Sequence, residues 1–282
     1  MTVLPAKIAG VKEVIVCTPN ASPEIIAACE LCGVNQIFEV GGAMAIAAMA
    51  YGTETIPKVH KIVGPGNLYV SAAKKIVYGD VGIDFIAGPS EVVIIADKDA
   101  NPTFVAADLI AQAEHDIASS AICITPSREL GSAVLLEIER MLQTLSTRET
   151  AKASLETRGA MIYVDSLQEA FAISNFLAPE HLEVQIEDLS LLTWIENAGS
   201  VFLGRFTPEA AGDYASGPNH VLPTGGMTAA QSGLSVRDFI KTPTVQRLSL
   251  PGIKAIAPTI IALAESEGLI GHAESIKVRL SC

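Results

Sequence analysis

The chain has 282 residues, 49% of them hydrophobic, and a formal net charge of -12, so it can bury a substantial core and is long enough for two domains. With no run of Lys or Arg, the acidic balance argues against nucleic acid or an anionic membrane surface as partner and favours a small-molecule substrate. No uninterrupted apolar run reaches the roughly 18 residues of a membrane span, and the start, Met-Thr-Val-Leu-Pro-Ala-Lys, lacks the pattern of a signal peptide, so a cytoplasmic location is expected.

Residues 13–18 read as a buried strand, followed by a helix from Pro23 to Cys32 that Gly33 closes. Gln36 to Val40 read as a second strand, Gly41-Gly42 as a turn and Ala43 to Tyr51 as a second helix. A third unit combines a strand over 59–63, the turn Gly64-Pro65-Gly66-Asn67 and a helix through Lys74 to Val77. Strands alternating with helices at this spacing predict a parallel sheet covered on both faces. Residues 80–91 break the pattern, and the sharp turn Ala87-Gly88-Pro89-Ser90-Glu91 marks a domain boundary.

Beyond it lie a strand over 92–96, a helix from Pro102 to Glu114, a strand over 121–125 and one long helix from Ser127 to Leu145. A strand over 161–164, a helix to Phe176, a strand over 182–185, a helix over 189–197 and a strand over 200–203 complete a second α/β layer. The expected fold class is therefore α/β, with two Rossmann-like parallel-sheet domains over 1–91 and 92–234 and a small helical tail over 235–282. In the tail, Thr244 to Leu250 suggests an edge strand, and Pro251–Glu267 and Ile270–Leu280 suggest two helices joined at Gly268. So small a unit buries its own apolar face poorly, so it is expected to pack on another domain or another subunit.

The densest chemistry lies in residues 211–226, Ala-Gly-Asp-Tyr-Ala-Ser-Gly-Pro-Asn-His-Val-Leu-Pro-Thr-Gly-Gly, which read as neither helix nor strand. Four glycines and two prolines predict a rigid, shaped loop carrying Asp213 and His220. Gln112 and His115, spaced by three at the end of a predicted helix, offer one face to an ion. With Asp213 and His272 they make a mixed N/O site for a divalent metal, although the same two residues also suit a simple helix-end cap. Glu180 and His181, adjacent on a Pro-fixed turn, read either as a proton-transfer pair or as a charged surface turn. Gly64-Pro65-Gly66-Asn67 at the carboxyl end of a strand is a weak nucleotide signal, since it lacks the dinucleotide fingerprint. The five cysteines read mostly as buried free thiols, with the Cys29-x-x-Cys32 pair the one redox or zinc alternative.

Six ordered motifs, Gly-Pro-Gly-Asn (64–67), Ala-Gly-Pro-Ser-Glu-Val (87–92), Gln-Ala-Glu-His (112–115), Pro-Glu-His-Leu (179–182), Gly-Ser-Val-Phe-Leu-Gly (199–204) and the 211–224 segment, together resemble histidinol dehydrogenase. The resemblance implies a zinc-containing, NAD-dependent enzyme that oxidises L-histidinol through an aldehyde to L-histidine, the last step of histidine biosynthesis. It implies Gln112, His115, Asp213 and His272 as zinc ligands, which also face the substrate, and Glu180 and His181 as the catalytic pair. His181 would take the protons of the oxidations and Glu180 would activate the water that attacks the aldehyde. Ser90, His220 and Glu267 match substrate-binding positions, and Asn67 a cofactor contact. A homodimer is implied as well, in which the tail bearing Glu267 and His272 completes the neighbouring subunit's site.

Two departures from the family pattern stand out. The family has a further N-terminal region, with a Gly-Leu-Tyr-Ile-Pro-Gly-Gly-type cofactor segment and part of the domain carrying the catalytic pair, that this sequence does not show. Met44 stands at a cofactor-binding position where the family usually has Gln. The alternatives are a truncated, catalytically impaired homologue that acts as a metal-binding or scaffold protein, and a relative that oxidises another small alcohol.

Overall fold

Side-chain caps set many of the helix starts in this chain, whose computed structural model describes residues 1–281. After α1 (Val3–Ile8) and the short β1 (Val16–Cys17), Ser22 accepts a hydrogen bond from the Ile25 N–H and Pro23 opens α2 (Pro23–Leu31). β2 (Ile37–Phe38) pairs parallel with β1, and α3 (Gly42–Tyr51) follows. β3 (Lys61–Ile62) leads into the Gly64–Asn67 turn, and Asn67 caps α4 (Leu68–Val77) by accepting from the Tyr69 and Val70 N–H groups. β4 (Gly82–Ile83) then pairs parallel with β3. Lys74 and Asp84 are buried together beneath this turn.

β5 (Glu91–Ala96), α5 (Pro102–Ala113), β6 (Ser120–Thr125), α6 (Arg128–Leu142), α7 (Arg148–Arg158), β7 (Ala160–Tyr163), α8 (Leu167–Leu177), β8 (His181–Gln185) and β9 (Ser200–Leu203) build a five-stranded parallel sheet in the order β7-β6-β5-β8-β9. After Glu91, β5 is a continuous apolar run because both of its faces are covered. Val92 and Ile94 pack with Val105, Leu109, Cys123 and Val134 on one side. Val93 and Ile95 pack with Ile124, Phe171 and Val184 on the other. Burying side chains of this size stabilises the fold by about 1.5–3 kcal/mol each before the entropy of ordering is counted.

The chain divides into two compact units, Met1–Ile240 and Lys241–Cys282. The second contains α10 (Leu250–Ser266) and α11 (Ile270–Leu280), which pack on each other through the turn at Gly268, where φ is 73°. Its buried side chains are mainly alanines, Ala257, Ala264 and Ala273, so it has little apolar core of its own. No helix among the described residues is long and apolar enough to cross a membrane.

Several local expectations are corrected. The 211–226 stretch is not all loop, since α9 (Glu209–Tyr214) takes in Gly212 and Asp213. Gly212 is there because a Cβ at that position would fall 2.6 Å from the Phe202 ring, so the residue reflects close packing of helix on strand. The predicted helix over 127–145 stops at Leu142, and α7, absent from the expected elements, follows it. Residues 80–91 contain β4, held by pairing with β3 rather than by any alternation of their own. Leu189–Trp194 is a 3-10 helix, shorter than the predicted helix over 189–197. Residues 244–249 form no strand, and Ser249 instead caps α10 through the Gly252 N–H.

Candidate functional site

A cavity of about 720 Å³ gathers residues from six stretches of the first unit: Asn67, Ser90, His115, Glu180 with His181, Glu209 with Asp213, and His220 all line it. The parallel register that pairs Val92 with His181 brings the amino ends of β5 and β8 side by side. There the Glu91 N–H donates to Glu180 Oε2 at 3.1 Å, and the Glu180 N–H donates to Glu91 Oε1 at 3.3 Å. Glu91 Oε1 also accepts from the Gly225 N–H at 2.9 Å, and the Thr224 hydroxyl accepts from the Gly88 N–H. The end of the 211–226 segment is thereby tied to the 87–91 turn.

Glu180 and His181 enter from a strained bend. Ala178 ends α8 with φ 48° and ψ 62°, the one non-glycine residue of positive φ among those described, and the Thr228 hydroxyl donates to its carbonyl at 2.6 Å. Gly199 lets β9 approach, since a Cβ there would sit 2.6 Å from the Glu180 carbonyl oxygen. Both side chains are buried. Burial pushes the Glu180 carboxyl up to about 8, assisted by the charges of Glu91 and Asp213 and opposed by hydrogen bonds from the Glu91 backbone and Ser90.

Burial likewise pushes the His181 imidazole down to about 4. Its Nδ1 lies 3.2 Å from the Glu91 carbonyl oxygen. A carbonyl only accepts, so Nδ1 carries the proton and Nε2, buried and without a protein partner, is the basic atom.

A pH dependence of stability follows from that shift. An unfolded histidine takes up a proton near pH 6.5, whereas folded His181 refuses it down to about pH 4. The fold therefore loses stability as pH falls through this window, by up to about 1.4 kcal/mol per pH unit for one proton. The buried carboxyls pull the other way, so the difference between proteins is the quantity to read. In urea unfolding from pH 6.5 to 4, His181→Asn is expected to gain stability relative to the parent as pH falls; parallel curves would contradict the assignment.

The metal candidates meet only in part as expected. α5 ends at Ala113, so Gln112 is fully buried in its last turn while His115 lies beyond the helix and is exposed. The two do not share a helical face. Asp213 sits on α9, half-buried, and its ligand atom lies with those of His115 and Glu209 within 4.8 Å of one another. An imidazole and two carboxylates at that spacing form a donor set suited to zinc. Burial, then the charges of Asp213, Glu183 and Glu180, push the Glu209 carboxyl up to about 9, as expected where buried acids face one another. Glu209 had not been anticipated. It stands four residues before Asp213, the spacing that puts two residues on one helix face, a signal concealed because Asp213 fell within the 211–226 stretch read as loop.

Of the cofactor candidates, Asn67 lines the cavity while its side-chain oxygen caps α4, whose first turn also lines it, a setting that can receive an anionic group. Met44 is exposed on α3 and does not line the cavity. Glu267 caps the end of α10 and His272 lies in α11, both in the second unit.

The family profile described as histidinol dehydrogenase matches residues 1–280. The histidinol dehydrogenase of Sulfurimonas denitrificans is 51% identical over 285 residues, and that of Aquifex aeolicus 52% identical over 280. Each alignment covers 99% of this chain and 66% of the relative. A crystal structure of histidinol dehydrogenase from Elizabethkingia anophelis superposes with a TM-score of 0.94 at 45% identity, covering 100% of this chain and 66% of that one. The chain thus spans 66% of the length of these relatives.

Proposed function

The chain belongs to the histidinol dehydrogenase family, and from that premise we propose that the protein oxidises L-histidinol through the aldehyde to L-histidine with zinc and NAD, in the cytoplasm, as the last step of histidine biosynthesis. The observation that carries this reading is the cavity itself, where a buried base with one free nitrogen, a buried acid and a His/Asp donor set stand together.

In this reading Gln112, His115 and Asp213 hold the zinc, and His272 of a neighbouring subunit completes the set. When bound, zinc supplies a Lewis acid and NAD a hydride acceptor. His181 Nε2 takes the proton of the alcohol and later that of the hydrated aldehyde. Glu180, held by the Glu91 N–H, removes a proton from the attacking water; a carboxyl raised toward neutrality is a stronger base than a free one. Ser90 and His220 line the cavity where the substrate's polar groups would lie, and Glu267 would reach it from the neighbouring tail. Asn67 and the first turn of α4 offer the cofactor a place, and Met44 cannot supply the amide the family usually has there.

The test is a mixing experiment. His115→Ala and His272→Ala are each expected to abolish NADH formation from histidinol. After subunit exchange the mixture should recover about a quarter of parental activity, since random pairing makes half the dimers hybrid and each hybrid keeps one intact site. A parent that forms no NADH from histidinol overturns the activity. Absence of recovery, with hybrids demonstrated and the parent active, overturns the shared site.

A further inference from the structure

We propose that Glu209 is a positioning residue that turns the Gln112 amide so that its oxygen, the atom able to ligate, faces the metal. This rests on the metal reading above. The side-chain amide of a glutamine has two orientations of nearly equal shape, and only one offers a lone pair to a cation. The hydrogen-bond network of Gln112 assigns its nitrogen to Glu209, donating to Oε1 at 2.9 Å and to Oε2 at 3.1 Å. A cation beside Glu209 favours its ionised form, and an ionised carboxylate only accepts, so it rejects the opposite orientation, in which two oxygens would face each other in a buried site. Gln112 is fully buried and Glu209 nearly so, which leaves little water to soften that choice.

Glu209 is itself held in place. Its N–H donates to Glu183 Oε1 at 2.7 Å, fixing the first turn of α9 to β8. The same short helix therefore presents Glu209 to Gln112 and Asp213 toward His115. Glu209 Oε1 also lies 3.4 Å from His181 Nδ1, so it stands on the side of the imidazole away from the free Nε2 and favours the same tautomer as the Glu91 carbonyl. One carboxylate thus orients a metal ligand and the base. The competing account is that Glu209 ligates the metal directly, as its distance from His115 and Asp213 permits.

Zn²⁺ affinity measured by chelator competition on the full protein separates the two. Glu209→Gln is expected to weaken Zn²⁺ binding by about 10–100-fold, the usual effect of removing a partner that orients a ligand. Combining it with Gln112→Ala should bind no more weakly than Gln112→Ala alone, because Glu209 would act only through that amide. The exchanged pair Gln112→Glu with Glu209→Gln restores a carboxylate opposite an amide and should regain affinity over Glu209→Gln. Additive losses in the double variant, no gain in the exchanged pair, or unchanged affinity of Glu209→Gln would each overturn the proposal. If Glu209→Gln does not fold by circular dichroism, Glu209→Asp, which keeps the charge but shortens its reach, takes its place under the same criteria. His115→Ala that binds Zn²⁺ like the parent would instead overturn the metal reading, a separate failure.

Discussion

His181→Asn is expected to slow both oxidations, of histidinol and of histidinal, by about 10²–10⁴-fold, the range in which a positioned proton acceptor contributes. The side-chain amide of asparagine matches part of the imidazole's shape but has no nitrogen lone pair to accept the proton. The tautomer set by the Glu91 carbonyl leaves Nε2 as the one basic nitrogen of the ring, so no second atom substitutes for it. Glu180→Gln is expected to behave differently. Gln keeps an acceptor for the Glu91 N–H and so keeps the bend in place, but it cannot take a proton from water. Alcohol oxidation should survive in part and aldehyde oxidation should fall much further, since only the second step needs an activated water. Following NADH formation from each substrate separately decides the matter. Equal losses on both substrates for Glu180→Gln would leave Glu180 a structural neighbour of His181, and a near-parental rate for His181→Asn would remove it as the base.

Lys74→Met is expected to cost about 3–5 kcal/mol of stability, the loss typical of removing one partner from a buried ion pair. The side chains of Lys74 and Asp84 are 3% and 1% exposed. The ammonium donates to Asp84 Oδ1 and to the Gly64 carbonyl at 2.6 Å, while Asp84 Oδ2 accepts from the Gly64 N–H at 2.7 Å. Removing the cation leaves a buried carboxylate without a counter-charge and frees the turn that ends in Asn67. Adding Asp84→Asn to Lys74→Met keeps an acceptor for Gly64 and removes the stranded charge, so the double variant should recover much of the loss. Urea unfolding measures both. A cost below about 1 kcal/mol for Lys74→Met would mean the pair is solvated rather than buried.

The ion pair also shows where sequence reasoning reaches its limit. Gly64-Pro65-Gly66-Asn67 was legible as a turn from its residue types, and Asn67 as the boundary of a helix. That a lysine ten residues further on folds back to hold the Gly64 carbonyl was not legible, because the contact depends on how α4 and the segment after β4 pack. The pair Glu180 and His181 is similar. Glu180 and His181 are neighbours in sequence, but the group that holds both is Glu91, 89 and 90 residues away.

By itself the sequence determined most of the alternation of strands and helices, because a strand buried on both faces reads as a continuous apolar run and many helices start at a side-chain cap, as at Ser22, Asn67 and Asn101. Of the residues singled out in the sequence, Asn67, Ser90, His115, Glu180, His181, Asp213 and His220 line one cavity, whereas Gln112 and Met44 do not and Glu267 and His272 lie in the second unit. Tertiary structure decided how these residues meet. The parallel register of β5 with β8 sets Glu91 against Glu180 and His181, a pairing that no local rule encodes because it joins residues far apart in the chain. It also decided that residues 209–214 are a helix despite Gly212, since helix propensity is a weak prior and close packing on Phe202 overrides it. Only with that helix in place do Glu209 and Asp213 share a face, and only then does the carboxylate that holds Gln112 become visible.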